Sequence, residues 1–301
     1  MGYLLLTPSM ALCLLAVAPA AAQDVSGTLP LGPAWSVSAE EVWPTGGYTE
    51  GPVFDGNGNL FISFPRAGRV ERLSPSGVET VWRSAEPGAN GHLVLEDGTH
   101  LLATQPEVLH LSAEGDVLRS ISGHDGQAFA FPNDLALDGR GGFFFTDSGS
   151  RTEATGAVFH VDGNWATTRV TSGLAFPNGI IRSGSTLYVS QSQGNDVLAF
   201  RIAGVELRDR RTLLTLPTEG LDQAKNAPDG MCMGSDGTLF VTHNGMGRIH
   251  AVSPRGELLA SYRTGLLTNS NCTFGPDGAL YVTGSREFET GPGAVVRLTL
   301  P

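Results

Sequence analysis

One motif recurs six times along this chain: a tight-turn signal followed by a short apolar or aromatic run. The copies are DGNGNLFIS from Asp55, EDGTHLLAT from Glu96, LDGRGGFFFTD from Leu137, RSGSTLYVSQ from Arg182, SDGTLFVTH from Ser235 and PDGALYVTG from Pro276. In each, a glycine supplies the backbone freedom of a tight turn and the residues after it favour strands. Gly58, Gly98, Gly139, Gly184, Gly237 and Gly278 are spaced by 40, 41, 45, 53 and 41 residues. A further hairpin sits between most pairs, as in GRVERLSPSGVETVW from Gly68 and GRIHAVSPRGELLASY from Gly247. Four strands in a unit of about 45 residues is the size of a propeller blade.

The reading is therefore an all-β chain, a six-bladed β-propeller around a central channel, with residues 23–301 as its single domain. The runs Trp35 to Trp43 and Ala294 to Leu300 both read as strands that can pair to close the ring, which removes exposed sheet edges. No helical period competes, because Pro and Gly interrupt every candidate window. Two β-sandwiches, the alternative, would not repeat one motif six times.

Leu4 to Ala22 is apolar or small, uncharged, and ends in Ala20-Ala21-Ala22 before Gln23. Residues 1–22 read as a secretory signal peptide, so the mature chain is expected to be secreted or periplasmic and free of the membrane after cleavage. No Lys or Arg precedes the apolar run, and an uncleaved anchor is the alternative. A formal charge of −11 with one lysine argues against nucleic acid and against an anionic membrane surface. Removing Cys13 leaves Cys232 and Cys272. These read either as a pair formed after export or as two buried thiols, and sequence does not choose between them.

Ten residues before the first strand residue of each copy lie Glu50, Asn133, Asp229, and positions beside Asn90, Asn178 and Asn271, with Ser270 itself in the last. A propeller sets the innermost strand of every blade around one channel, so these positions are expected to ring one mouth. Carboxylate and amide oxygens without histidine suit a hard divalent cation such as Ca²⁺. The donor set alone does not separate calcium from zinc, manganese or magnesium.

The motifs EGPVFD, FPNDLALD, FPNGI and APDGMC, in that order on this repeat, resemble the senescence marker protein/gluconolactonase/luciferin-regenerating enzyme family over essentially the whole mature chain. The resemblance implies a six-bladed propeller with one divalent cation, usually calcium, and lactone hydrolysis. It implies Glu50, Asn178 and Asp229 as metal ligands, Asn133 beside them as a substrate or metal contact, and Asp229 as catalytic base. The chain departs from some sugar lactonases, where an Arg binds substrate two residues before the position of Asn133, because here that residue is Phe131. With His124 and Phe129 in the same loop, Phe131 points to a more apolar or aromatic substrate.

A second ring is expected four residues into the second strand of each blade: Phe64, Gln105, Asp147, Gln191, His243 and Gly284. Asp147 and His243 are its ionisable members and are read as substrate-binding candidates, against the plainer readings of a turn carboxylate and a hydrogen-bonded loop histidine. No G-x-S-x-G, H-E-x-x-H, Walker loop or G-x-G-x-x-G opening a helix is present, which disfavours serine-hydrolase, nucleotide and nicotinamide chemistry. The expected reaction is metal-assisted hydrolysis of a small lactone or ester. The alternatives are hydrolysis of organophosphates, a strictosidine-synthase-like condensation, and a non-catalytic calcium-binding propeller.

Overall fold

In the computed structural model, residues 38–218, 226–288 and 291–300 are described; the expected signal peptide lies outside them. Six four-stranded antiparallel sheets follow one another in chain order. Their innermost strands are Glu50–Phe54, His92–Val94, Pro132–Leu137, Pro177–Ser183, Ala227–Met233 and Thr268–Phe274. Packing of each inner strand against those of neighbouring blades, the sixth against the first included, gives the expected propeller.

The sixth blade takes its outermost strand from the other end of the chain. Ser38–Thr45 pairs antiparallel with Gly293–Thr299, so the expected closure is present, with the N-terminal strand ending at Thr45 rather than Trp43.

Apolar runs such as Phe143-Phe144-Phe145 follow from this geometry. Successive side chains of a strand point to opposite faces, and both faces of a blade are covered by neighbours. Phe143 and Phe145 enter the cluster shared with the second blade, while Phe144 enters the one shared with the fourth. Leu60 and Ile62 likewise pack with Trp43 and Val295, while Phe61 packs with Leu102 and Leu109. The core is six apolar wedges, one in each gap between blades. Truncating a fully buried member such as Phe144 to alanine costs about 3–5 kcal/mol.

Cys232 and Cys272 form a disulfide with Cα atoms 5.6 Å apart, joining the innermost strands of the fifth and sixth blades.

Candidate active site

Five of the six innermost strands break register beside the residue singled out by the repeat; the second, His92–Val94, pairs without a break. Pairing skips from Pro132 to Leu135, from Pro177 to Ile180, from Pro228 to Met231 and from Glu50 to Val53. A bulge re-aims the side chains within it. Here Asn133, Asn178 and Asp229 lie within the bulges and Glu50 immediately before one, and all four line one cavity of about 720 Å³, together with Asn90 and Phe131.

The glycine after several of these residues serves packing. A Cβ on Gly91 would lie 2.6 Å from the Asn133 carbonyl oxygen, and one on Gly179 would lie 2.6 Å from that of Asp229. Only a residue without a side chain lets neighbouring inner strands approach so closely. These glycines sit at the channel wall, where a turn reading of Asn-Gly and Asp-Gly does not apply.

Hydroxyls of the second strands tie the site to the preceding blade. Thr146 Oγ1 donates to the Asn178 carbonyl at 2.6 Å, and Ser190 Oγ to the Asp229 carbonyl at 2.6 Å. A second relay orients the amides. Asn133 Nδ2 donates to Ser148 Oγ at 3.1 Å, and that hydroxyl donates to the Pro177 carbonyl at 2.7 Å. Asn178 Nδ2 donates to Ser192 Oγ at 3.3 Å, and Ser192 donates to the Pro228 carbonyl at 2.7 Å. With both amide nitrogens committed sideways, the amide oxygens are the groups left for the cavity.

Two carboxylates share the site through one phenol. Tyr48 Oη lies 3.0 Å from Glu50 Oε1 and 3.4 Å from Asp229 Oδ2, and Asn244 Nδ2 donates to Asp229 Oδ2 at 3.1 Å. Burial pushes the Glu50 carboxyl well above its ordinary range, and the negative charges of Asp229 and Asp134 push it further. Asp134, deeper in the channel, is pushed up to about 6 by burial, against bonds from the Leu135 and Ile180 N–H groups and Asn271 Nδ2.

This set fits a hard divalent cation. The donors are all oxygen, two carboxylates balance its charge, and the buried Asn90 Oδ1 has no hydrogen-bond partner. Among the described residues no group of three or more His, Cys, Asp or Glu side chains is arranged to hold a metal. Amide oxygens must therefore complete any such shell.

Three expected substrate contacts lie elsewhere. Asp147 is buried, and its carboxylate accepts the N–H groups of Ala130 at 3.0 Å and Phe131 at 2.7 Å. His124 lies beside Asp147 on the wall of a separate cavity. His243 is fully buried, with Nδ1 2.9 Å from His250 Nε2, whose Nδ1 is 2.7 Å from Ser261 Oγ. Burial and its imidazole neighbour hold the His243 pKa well below the ordinary value. Phe129 belongs to the core. The physical reason is strand alternation. Asp147 and His243 pair with Pro132 and Pro228, and their successors Ser148 and Asn244 are the residues whose side chains bond the site. In the sixth blade, Ser270 Oγ donates to the Thr49 carbonyl at 2.6 Å, and Asn271 reaches Asp134 instead of the mouth.

Tyr48, Asn244, Ser148 and Ser192 were not singled out in the sequence. Tyr48 had a signal, two residues before Glu50 and on the same face of an extended chain.

Residues 48–286 match the profile described as SMP-30/Gluconolactonase/LRE-like region. A gluconolactonase of Zymomonas mobilis is 29% identical over 280 residues, covering 79% of this chain and 76% of that protein. The lactonase drp35 of Staphylococcus aureus strain USA300 is 25% identical over 278 residues, covering 85% and 84%. The fold matches a gluconolactonase structure from Xanthomonas campestris with a TM-score of 0.75 at 24% identity, covering 88% of this chain and 90% of that one. It matches a calcium-binding protein, regucalcin, from Agrobacterium tumefaciens with a TM-score of 0.70 at 18% identity, covering 89% and 97%. With the matched region running from Tyr48 at the cavity wall through all six blades, the chain belongs to the SMP-30/gluconolactonase/LRE-like family.

Proposed function

We propose that the protein is a lactonase-type hydrolase that opens a lactone, or a related small ester, in the cavity around Glu50 and Asp229. The observation that carries this reading is the convergence of Glu50, Asn133, Asn178 and Asp229 on one cavity in a chain whose relatives are named gluconolactonase and lactonase. Glu50, Asn178 and Asp229, with Asn133 beside them, would hold one divalent cation, calcium by the character of the donors. When bound, that cation supplies Lewis-acid polarisation of the ester carbonyl.

Asp229 is the base. Its carboxylate accepts a proton from the water that attacks the carbonyl carbon, while Asn244 fixes Oδ2 so that the carboxylate keeps one orientation. The ring C–O bond then breaks, the proton passes to the departing ring oxygen, and a hydroxy acid leaves. Tyr48, between the two carboxylates, holds them in register. The disulfide supports the reading that the mature chain works outside the cytoplasm, where such bonds persist.

The test is hydrolysis of γ- and δ-lactones, sugar and aromatic, after chelation and with calcium, manganese, magnesium or zinc restored. Activity lost to the chelator and restored by one cation supports the reading. Inactivity of folded protein with every cation overturns it.

A further inference from the structure

The rim of the cavity differs in charge from its floor. Buried Glu50 and Asp229 make the floor acidic, while exposed Arg66 and Arg151 line the outer wall. Arg151 stands on the loop between the second and third strands of the third blade. That loop is tied by its own bonds, Ser150 N–H to Thr155 Oγ1 at 2.9 Å and Thr155 N–H to the Glu153 carbonyl at 2.8 Å. The Arg151 guanidinium carbon lies 4.4 Å from the centroid of the Phe176 ring. Phe176 in turn packs against Phe131, with centroids 5.9 Å apart. Among the described residues Arg151 has no ion-pair partner, although the chain as a whole is strongly acidic.

Phe176 adopts φ of 54°, a left-handed conformation uncommon for a bulky aromatic residue. The fold keeps it there, 3% exposed, with its ring under the guanidinium. An arginine stacked on an aromatic face is pre-oriented, so it loses little freedom when its donor fork takes a carboxylate. The result is an apolar wall, Phe131 and Phe176, capped by a planar cation and opening onto the proposed hydrolytic centre.

We propose that this cavity selects lactones that carry a carboxylate on an apolar or aromatic body, and that Arg151 binds that carboxylate while Phe131, backed by the buried Phe176, holds the body. The proposal rests on the lactonase reading and narrows its substrate class. A neutral polyhydroxylated sugar lactone meets neither the apolar wall nor the cation on its terms, since its hydroxyls are better served by water.

Two γ-lactones that differ in one group, 4-carboxyphenyl against phenyl, separate the possibilities on wild type and Arg151→Gln. The exposed position of Arg151 leaves the fold undisturbed. The expected result is a lower KM for the carboxylate in wild type. In Arg151→Gln the KM advantage of the carboxylate lactone over the phenyl lactone, measured on the same preparation, shrinks by roughly ten- to a hundred-fold. Equal effects on both lactones, or none, overturn the proposal. If wild type hydrolyses neither, the lactonase reading fails on its own. Calorimetric binding of the corresponding non-hydrolysable lactams still decides the selectivity: a preference for the carboxylate that disappears in Arg151→Gln supports it, and no preference overturns it.

Discussion

Asp147 holds Phe131 by the backbone, its carboxylate accepting the Phe131 N–H at 2.7 Å while it faces away from the cavity that Phe131 lines. The carboxylate therefore acts on the site at one remove. Asp147→Ala should leave buried donors unsatisfied, lower stability by about 1–3 kcal/mol and raise KM for aromatic lactones. Denaturant melts and steady-state kinetics check both. An unchanged melt with unchanged KM would remove the positioning role.

Asp229→Asn keeps shape and one oxygen but takes away the proton acceptor. Turnover should fall by roughly a hundred-fold or more while the unfolding midpoint moves little. Rates measured at saturating cation separate a lost base from weakened cation binding. Full activity in this variant would return the search for the base to the other cavity residues.

The buried His243–His250 pair should make the protein acid-sensitive. The His250 pKa is lowered to about 3, first by burial and then by the Arg248 charge, whereas the unfolded histidine titrates near 6.5. As pH falls from about 6.5 toward 3, the unfolded chain binds a proton that the folded one refuses, so stability is lost across that window. The shift is worth roughly 3–6 kcal/mol in full. Asp134, raised to about 6, contributes with the opposite sign, since protonating it between about 6 and its unfolded value favours the folded state. The difference between wild type and His250→Gln isolates the histidine: the variant should show the shallower loss between pH 6.5 and 4. Parallel profiles would count against the linkage.

The Cys232–Cys272 bond closes a sequence separation of 40 residues, which by loop-closure entropy is worth roughly 4 kcal/mol. A reductant should lower the denaturation midpoint of wild type and leave that of a Cys232→Ala/Cys272→Ala double variant unmoved. The two proteins should then coincide to within the small packing loss of the alanines.

Most of the ring was legible because its physics is periodic. Six turn-and-strand signals forced six blades, and a fixed offset from them found Glu50, Asn133, Asn178 and Asp229, which share one cavity. In the second blade the offset also reaches the cavity wall at Gln105, whereas in the third and fifth blades the side chains that meet the site lie one position further on, and in a strand one position is the other face. Asp147 and His243 were singled out where Ser148 and Asn244 meet the site. His124 was placed at the mouth by its nearness in sequence to Phe131, but the short hairpin Gly123–His124 with Gln127–Ala128 carries it to a neighbouring cavity. Arg151 carries no sequence signal, because its relation to Phe131 and Phe176 exists only after blades three and four have packed. The cysteine pairing likewise depended on a Cα separation that only the juxtaposition of two inner strands creates.

The strand Ser38–Thr45, whose partner is Gly293–Thr299, also sets an order of events in the cell. It is synthesised before every complete blade, yet its partner arrives after all of them. Trp43 must wait for Val295 before the wedge between the sixth and first blades can form. Until then the chain carries an unmated strand at its head and an open seam at its tail. Loss of the last few residues would thus injure the molecule at both ends at once.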